Sequence, residues 1–302
     1  MLAFLLAFSY LIHARDVLRP PNPPVLKTWS AEAPRRETLT VQTRDGIQLR
    51  GWLYKTDRRG APYVLFFYGN NDDMSHEEYR LSWLRDTFHV NAICFDYPGY
   101  GFSGGSVNIA ALQSAALQEF DFTRSHVIPS TATPIFSYGW SIGAGVAIHV
   151  AAERKTAGLI LQAPPASSKE MTKWVSERYI PQLVRGFVKL EAEPAVKQLF
   201  DNAAAIHTVA APLLIIQGEL DDVVSLGQGR EVVDASPATR KRFVIVPGAH
   251  HNDLNFTEPP ASIAVREFLR TFSAGKSGKR SFLDSTKILG TSFRLRVPKV
   301  PR

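Results

Sequence analysis

The chain has 302 residues, of which 45% are hydrophobic and 21% charged, with a formal net charge of +7. This composition is that of an ordinary globular protein with a large core, and it argues against an intrinsically disordered chain. Cys94 is the only cysteine, which excludes an intramolecular disulfide and a cysteine-rich metal site. Because Cys94 lies in an apolar run, we interpret it as a buried small hydrophobe.

The positive charge is concentrated at the C-terminus. Residues 273–302 contain eight basic residues and one acid, which accounts for the whole net charge of +7. Such a tail can attract an anionic membrane or a nucleic acid. We interpret it as a solvated basic tail, and we expect no nucleic-acid partner because that role would rest on the tail alone.

The N-terminus is apolar. Residues 1–12 are interrupted only by Ser9, and twelve residues are too few to span a bilayer. They suit a signal-peptide core, an interfacial anchor or a truncated spanning helix, and we expect them to associate the chain with a membrane. A Pro-rich linker follows, so the predicted domains are residues 1–35, a catalytic domain at 36–272, and the tail at 273–302.

The domain begins with a hairpin signal and continues with an alternation of strands and helices. Asp45-Gly46 separates two strand-like runs at 37–43 and 47–54. Later runs are apolar on both faces, as parallel strands covered by helices require. These runs lie at 63–67, 92–95, 135–138, 158–161, 213–216 and 243–246. Helical stretches lie between them, including 76–88, which carries Tyr79, Trp83 and Phe88 among charged residues, and 110–123. An open, mostly parallel sheet is predicted.

An insertion interrupts this rhythm. About fifty residues between Leu161 and Leu213 contain no strand-like run, and we place a helical, mobile lid at 164–206. Its apolar residues are spaced for one helical face: Met171, Trp174, Val175, Tyr179 and Leu183. We expect Trp174 to line a substrate pocket. The alternative is that this face only packs on the sheet.

A G-x-S-x-G motif carries the predicted chemistry. Gly139-Trp140-Ser141-Ile142-Gly143 follows an apolar strand and precedes a helix rich in small residues. At such a turn a strained serine projects its hydroxyl, and the flanking glycines allow strand and helix to approach. We therefore predict Ser141 as a nucleophile; the alternative is an ordinary serine N-cap.

The partners of a nucleophilic serine are expected after later strands, the acid before the histidine. Only His250 and His251 follow the 243–246 run, and Asp221 and Asp222 follow the 213–216 run. Position leaves both choices open. For the oxyanion, the loop after the 63–67 run offers the amide of Asn70, paired with that of Ile142.

Motifs in the chain resemble the α/β-hydrolase-domain proteins, specifically the membrane-associated branch that includes protein depalmitoylases and lysophospholipid lipases. The similar segments are D-Y-P-G-Y-G-F-S-G-G at 96–105, the G-x-S-x-G motif, G-E-L-D at 218–221 and P-G-A-H-H-N-D at 247–253. The resemblance selects Asp221 and His251. It implies an α/β-hydrolase fold: a mostly parallel central sheet with an N-terminal antiparallel hairpin, helices on both faces and an inserted helical lid.

The chain departs from this family pattern at two supporting positions. Tyr68 stands before the oxyanion Gly-Asn and Gln217 before the acid-loop glycine, where the family usually has histidine. We expect these departures to affect substrate preference and local hydrogen bonding more than the reaction class.

The expected function is hydrolysis of an ester or thioester of a lipid-like acyl substrate by Ser141, Asp221 and His251, with no cofactor or metal implied. The alternatives are a serine peptidase of the same fold and a non-enzymatic binding protein that retains it. An anionic membrane surface is a further expected partner. The sequence predicts neither the compartment nor the oligomeric state.

Overall fold

The computed structural model describes residues 8–21 and 35–273. Residues 1–7 of the apolar segment, most of the Pro-rich linker and the basic tail lie outside the described residues. The predicted domain boundaries at 36 and 272 therefore stay a prediction.

The strands form one large sheet and one small one. Residues 8–21 and 35–273 contain ten strands: β1 (Phe8–Ile12), β2 (Arg36–Gln42), β3 (Gln48–Tyr54), β4 (Tyr63–Phe67), β5 (Asn91–Phe95), β6 (Ile135–Trp140), β7 (Leu159–Gln162), β8 (Val188–Ala192), β9 (Leu213–Gly218) and β10 (Lys241–Val246). Eight of them are ordered β10-β9-β7-β6-β4-β5-β3-β2. The pairs from β10 to β5 are parallel, and β3 pairs antiparallel with both β5 and β2. The predicted parallel sheet with its N-terminal hairpin is confirmed.

The helices lie between the strands, as the alternation predicts. Those described are α1 (Ala14–Val17), α2 (Glu78–Phe88), α3 (Ile109–Phe122), α4 (Ile142–Glu153), α5 (Ser168–Tyr179), α6 (Gln182–Arg185), α7 (Pro194–Phe200), α8 (Asn202–Ala205), α9 (Leu226–Ala235) and α10 (Ala261–Ser273), with a π-helical turn at Thr123–Val127 and a 3₁₀ turn at Ile206–Thr208. Every residue of β4, β5, β6, β7 and β9 is buried. Strands buried on both faces read as continuous apolar runs, which is why the sequence identifies them.

The insertion contains a strand that the sequence does not predict. β8 pairs in parallel with β1, with Phe8 opposite Val188 and Ile12 opposite Ala192. The expectation of an insertion without a strand was therefore wrong. Its sequence, Val-Lys-Leu-Glu-Ala, lacks an apolar run because the strand is only partly covered. Its partner lies about 180 positions earlier in the chain, where local pattern carries no information about pairing.

The N-terminal segment is attached to the insertion by polar contacts as well. The ring Nδ1 of His13 lies 2.8 Å from Glu193 Oε2, and the amide of Ala14 donates to Glu193 Oε1 at 2.7 Å. Residues 8–12 of the apolar stretch assigned to membrane association are thus paired with the insertion through their backbone, while four of their five side chains are exposed. Among the described residues, no helix combines the length and hydropathy needed to cross a membrane.

Close approach between α4 and the sheet depends on two glycines. A Cβ on Gly139 would lie 2.6 Å from Ala144 Cα, and a Cβ on Gly143 would lie 2.6 Å from Tyr68 O. These distances are shorter than carbon atoms tolerate, and the opposing atoms are backbone, which cannot swing aside. The glycines of the G-x-S-x-G motif are therefore required by packing.

We expect Gly139→Ala to lower the free energy of unfolding by about 1–3 kcal/mol or more, because the added methyl forces β6 and α4 apart. Gly186→Ala is the matched control, since none of the described heavy atoms lies within 4 Å of a Cβ there. Urea unfolding of both variants measures the difference. Equal stability of the two variants would contradict the packing argument.

Candidate active site

Ser141 occupies the turn between β6 and α4. Its φ of 53° and ψ of −119° lie in a region that non-glycine residues rarely adopt. The amide of Ser141 donates to the carbonyl of Gln162, at the end of β7, at 2.9 Å. Such local strain persists only where surrounding structure enforces it, and it concentrates at functional sites. The backbone thus supports the interpretation of a projecting serine over that of an ordinary N-cap.

Three of the predicted side chains form a continuous hydrogen-bonded line. The Nε2 atom of His251 lies 3.0 Å from Ser141 Oγ, and its Nδ1 atom lies 2.8 Å from Asp221 Oδ2. The side chains of Asp221 and His251 are 0% and 7% exposed. A carboxylate accepting the Nδ1 proton leaves Nε2 unprotonated, so that it can accept the serine proton.

The other members of the two adjacent pairs lie outside this line. The His250 side chain is 54% exposed, with its Nδ1 atom 4.0 Å from Asp222 Oδ1. The backbone at His250 is not left-handed, whereas Gly248 in the same loop has a φ of 70°. His250 therefore occupies the rim without backbone strain. The geometry agrees with the register that the family resemblance selects, while the catalytic roles stay a prediction.

The carboxylate of Asp221 is fully surrounded by donors. The amides of Val223 and Val224 donate to Oδ1 at 3.0 and 2.8 Å. The side-chain amide of Gln217 donates to Oδ2 at 3.0 Å, the oxygen that also faces His251. Donors on both oxygens stabilise a buried charge and hold the carboxylate in one orientation.

The predicted oxyanion loop lies directly after β4. Neither the Asn70 amide nor the Ile142 amide donates to an acceptor within residues 8–21 and 35–273. The Asn70 side chain is engaged elsewhere, since its Oδ1 accepts from the Arg19 amide at 2.8 Å. The Asn71 amide donates to the Arg19 carbonyl at 3.1 Å. The N-terminal segment therefore contacts this loop, which the sequence pattern does not predict.

Buried polar contacts lie beneath the loop. The hydroxyl of Tyr68 accepts from the Tyr97 amide at 2.9 Å, and the two rings stack with centroids 4.1 Å apart. The carboxylate of Asp96 accepts from the amides of Met74 and Phe102 at 2.7 and 2.8 Å. Burial raises the pKa of Asp96 to about 7, although these two donors oppose the shift. Tyr68 stands where the family usually has histidine. Its contacts with Tyr97 join the loop after β4 to the segment after β5.

Trp140 lies between the histidine and a buried ion pair. Its ring stacks on His251 with centroids 6.2 Å apart, and the guanidinium of Arg80 lies 4.0 Å from its ring centre. Arg80 pairs with Glu77, with Nε 2.8 Å from Oε2. A Cβ on Gly69 would lie 3.1 Å from Trp140 Cε3, so the ring also covers the start of the loop after β4.

Sequence reasoning missed Arg80 and the role of Trp140. The predicted apolar residues of α2, Tyr79 and Trp83, are 44% and 38% exposed, while Arg80 is only 3% exposed. An arginine is rarely buried unless it is paired, and its partner and stacking ring come from tertiary contact. The position of Trp140 directly before the serine was the one signal available.

Trp174, predicted to line a pocket, contacts the loop after β9 that carries Asp221 and Asp222, here called the acid loop. Its Nε1 donates to the carbonyl of Asp222 at 2.7 Å, and its ring meets Tyr179 edge-on at 6.0 Å. Tyr179 and Leu183, predicted on the same face, are 69% and 88% exposed. The structure thus joins α5 to the loop that carries Asp221, and the pocket itself stays a prediction.

The strand order and the line of serine, histidine and aspartate define an α/β hydrolase. Residues 69–266 match the Alpha/beta hydrolase family, and the chain belongs to that family. It is 32% identical over 253 residues to the uncharacterized protein Rv2307c of Mycobacterium tuberculosis (strain ATCC 25618 / H37Rv), a match that covers 82% of this chain and 84% of that protein.

Two further comparisons concern named hydrolases. The chain is 30% identical over 240 residues to the lysophosphatidylserine lipase ABHD12 of Rattus norvegicus, covering 72% of this chain and 58% of the lipase. It is similar in fold to the Pyrococcus furiosus esterase Pf2001, with a TM-score of 0.65 at 20% identity, covering 84% of this chain and 100% of the esterase. The resemblance drawn from the motifs is confirmed, and the chain is a hydrolase.

We expect His251→Ala to lower kcat for a p-nitrophenyl ester by about 10³–10⁶-fold, because loss of the base removes both proton transfers. His250→Ala should retain most activity, since that ring lies on the rim. Circular dichroism checks that both variants fold. An inactive His250 variant beside an active His251 variant would show that the register is wrong by one residue.

Proposed function

We propose that this chain is a serine hydrolase that cleaves a carboxylic ester or thioester of an apolar acyl group through an acyl-enzyme on Ser141. The observation that carries the proposal is the line from Asp221 through His251 to Ser141, with separations of 2.8 and 3.0 Å. Both distances are within hydrogen-bond reach, the first requirement for a nucleophile and its base.

In the first half-reaction, His251 Nε2 takes the hydroxyl proton while Ser141 Oγ forms a bond to the carbonyl carbon of the substrate. Asp221 stabilises the imidazolium that results, and Trp140 limits the movement of the ring. The tetrahedral intermediate then collapses, and the leaving alcohol or thiol takes the proton from Nε2. The acyl group remains on Oγ as an ester.

The negative charge on the tetrahedral oxygen requires donors that are already in place. The amides of Asn70 and Ile142 are our candidates, and the latter opens α4, whose N-terminus adds a favourable dipole. In the second half-reaction water gives a proton to Nε2 and attacks the acyl carbon. Return of that proton to Oγ releases the carboxylic acid and the free enzyme.

The class of substrate is proposed from the relatives and the insertion. ABHD12 is named a lysophosphatidylserine lipase, and Pf2001 an esterase. The insertion at 164–206 presents large apolar side chains, among them Tyr179 and Leu183. We therefore propose a lipid-like acyl substrate, with the insertion acting as a lid. A serine peptidase of the same fold is the alternative to be tested.

Activity profiling distinguishes these alternatives. We expect the purified chain to react with a fluorophosphonate at Ser141 and to hydrolyse p-nitrophenyl esters, with kcat/KM rising from acetate towards longer acyl chains. Ser141→Ala should abolish both reactions. Cleavage of peptide substrates in preference to every ester would support the peptidase, and the absence of labelling would contradict an acyl-enzyme on Ser141.

A second measurement concerns Trp174. If its ring lines the acyl pocket, Trp174→Ala should lower kcat/KM for a long acyl ester by about tenfold more than for acetate, because apolar contact with the chain is lost. Trp174→Phe keeps a ring but removes the donor to Asp222, and it should retain the preference for long chains. Lys173→Ala, which changes an exposed polar residue of the same helix, is the control.

The pattern of loss identifies the role of Trp174. An equal loss for both esters in Trp174→Ala and Trp174→Phe would contradict the pocket. It would indicate that the hydrogen bond to the acid loop is what matters.

A further inference from the structure

Gln217 is a buried polar residue beside the predicted acid. It lies in β9, has 0% exposure, and its Nε2 atom donates to Asp221 Oδ2 at 3.0 Å and to Val224 O at 2.8 Å. Both neighbours are acceptors only, so chemistry fixes which end of the amide faces them. Both N–H groups of the side chain are used on the acid loop.

The carbonyl oxygen of the amide, Oε1, occupies space that a glycine leaves free. A Cβ on Gly229, in α9, would lie 2.7 Å from Gln217 Oε1, so the glycine provides the space for the side chain. Within the described chain, Oε1 has no hydrogen-bond partner. A buried polar group without a partner is costly, so the two hydrogen bonds that the N–H groups donate are the reason for a glutamine at this position.

The oxygen that Gln217 contacts is the one that faces the histidine. Asp221 Oδ2 is shared by Gln217 Nε2 and His251 Nδ1, while Oδ1 is taken by two backbone amides. Rotation of the carboxylate would break contacts on both oxygens. Gln217 therefore holds Oδ2 towards His251 together with the two amides that hold Oδ1.

We propose that Gln217 is a positioning residue that holds Asp221 against His251 through two uncharged donors, so that this support does not change with pH. This inference rests on the proposed function. A neutral imidazole at position 217 would have a single N–H for two acceptors, and only the protonated ring would satisfy both. Glutamine supplies both donors without a proton that titrates.

Other charged groups surround the pair and enter any dependence on pH. In the neighbouring loops and behind Trp140 they include Glu219, Asp222, His250, Asp253, and Arg80 with its partner Glu77. Burial raises the pKa of Glu77 to about 8, and this group is common to the parent and every variant. Among these, only His250 is a histidine, the residue type that the test introduces at position 217. The experiment is therefore made in a His250→Ala background.

In that background we expect Gln217→Met to lower kcat by about 10- to 100-fold with little change in KM, because a donor to a charged group is lost without contact to substrate. Gln217→His should recover much of this loss at low pH and add a second ionisation between about pH 5 and 8 to the kcat/KM profile. The control is Gln228→Met, which removes a buried glutamine whose Oε1 accepts from Ala166 N at 3.1 Å.

Unchanged kcat in Gln217→Met, or a Gln217→His profile identical to that of the parent, would overturn the inference. If Gln217→Met does not fold, the profile of Gln217→His decides. A parent that is not labelled by fluorophosphonate would contradict the proposed function instead. In that case the His251 Nδ1 proton signal, measured by NMR in Ser141→Ala, should still move in Gln217→His and not in Gln228→Met. An unmoved signal would overturn the contact.

Discussion

The turn from β6 into α4 holds a non-glycine residue at positive φ, and the arrangement of the site follows from that constraint. Ser141 has a φ of 53°, and the two glycines that flank it allow α4 to meet the backbone of β4 and β6. Once the turn is made, the serine hydroxyl and the first amide of α4 stand at one edge of the sheet. Every partner must then reach that edge from a loop that follows another parallel strand.

Buried polar groups hold those loops in place. Asp96 joins the loop after β4 to the segment after β5 by accepting hydrogen bonds from backbone amides of both. Asp221 is fixed in a similar way by amides of its own loop and by Gln217. In each case a carboxylate with several donors replaces regular secondary structure as the means of ordering a loop, which is effective because an unsatisfied charge in the interior is costly.

The insertion and the N-terminal segment connect these loops from outside the sheet. Trp174 joins α5 to the acid loop, while Arg19 contacts both Asn70 and Asn71. β1 pairs with β8, so the two outer segments are themselves linked. Contacts of the insertion therefore reach the loop of Asp221 directly and the loop after β4 through residues 8–21.

The sequence determined the features that depend on local pattern. Strands buried on both faces appear as apolar runs, Asp45-Gly46 marks the hairpin, and Gly139 and Gly143 mark the strained turn. The order of strands and helices therefore predicted the parallel sheet. It also predicted that Ser141, an aspartate and a histidine lie together at the carboxyl ends of its strands.

Only the tertiary structure decided the contacts between distant segments. Position alone could not choose between Asp221 and Asp222, because the choice depends on which carboxylate faces His251. Local sequence pattern likewise did not predict the burial of Arg80, the pairing of β1 with β8 or the hydrogen bonds that Gln217 donates. Each depends on a partner from elsewhere in the chain, and a buried polar residue is recognised only when the group that satisfies it is known.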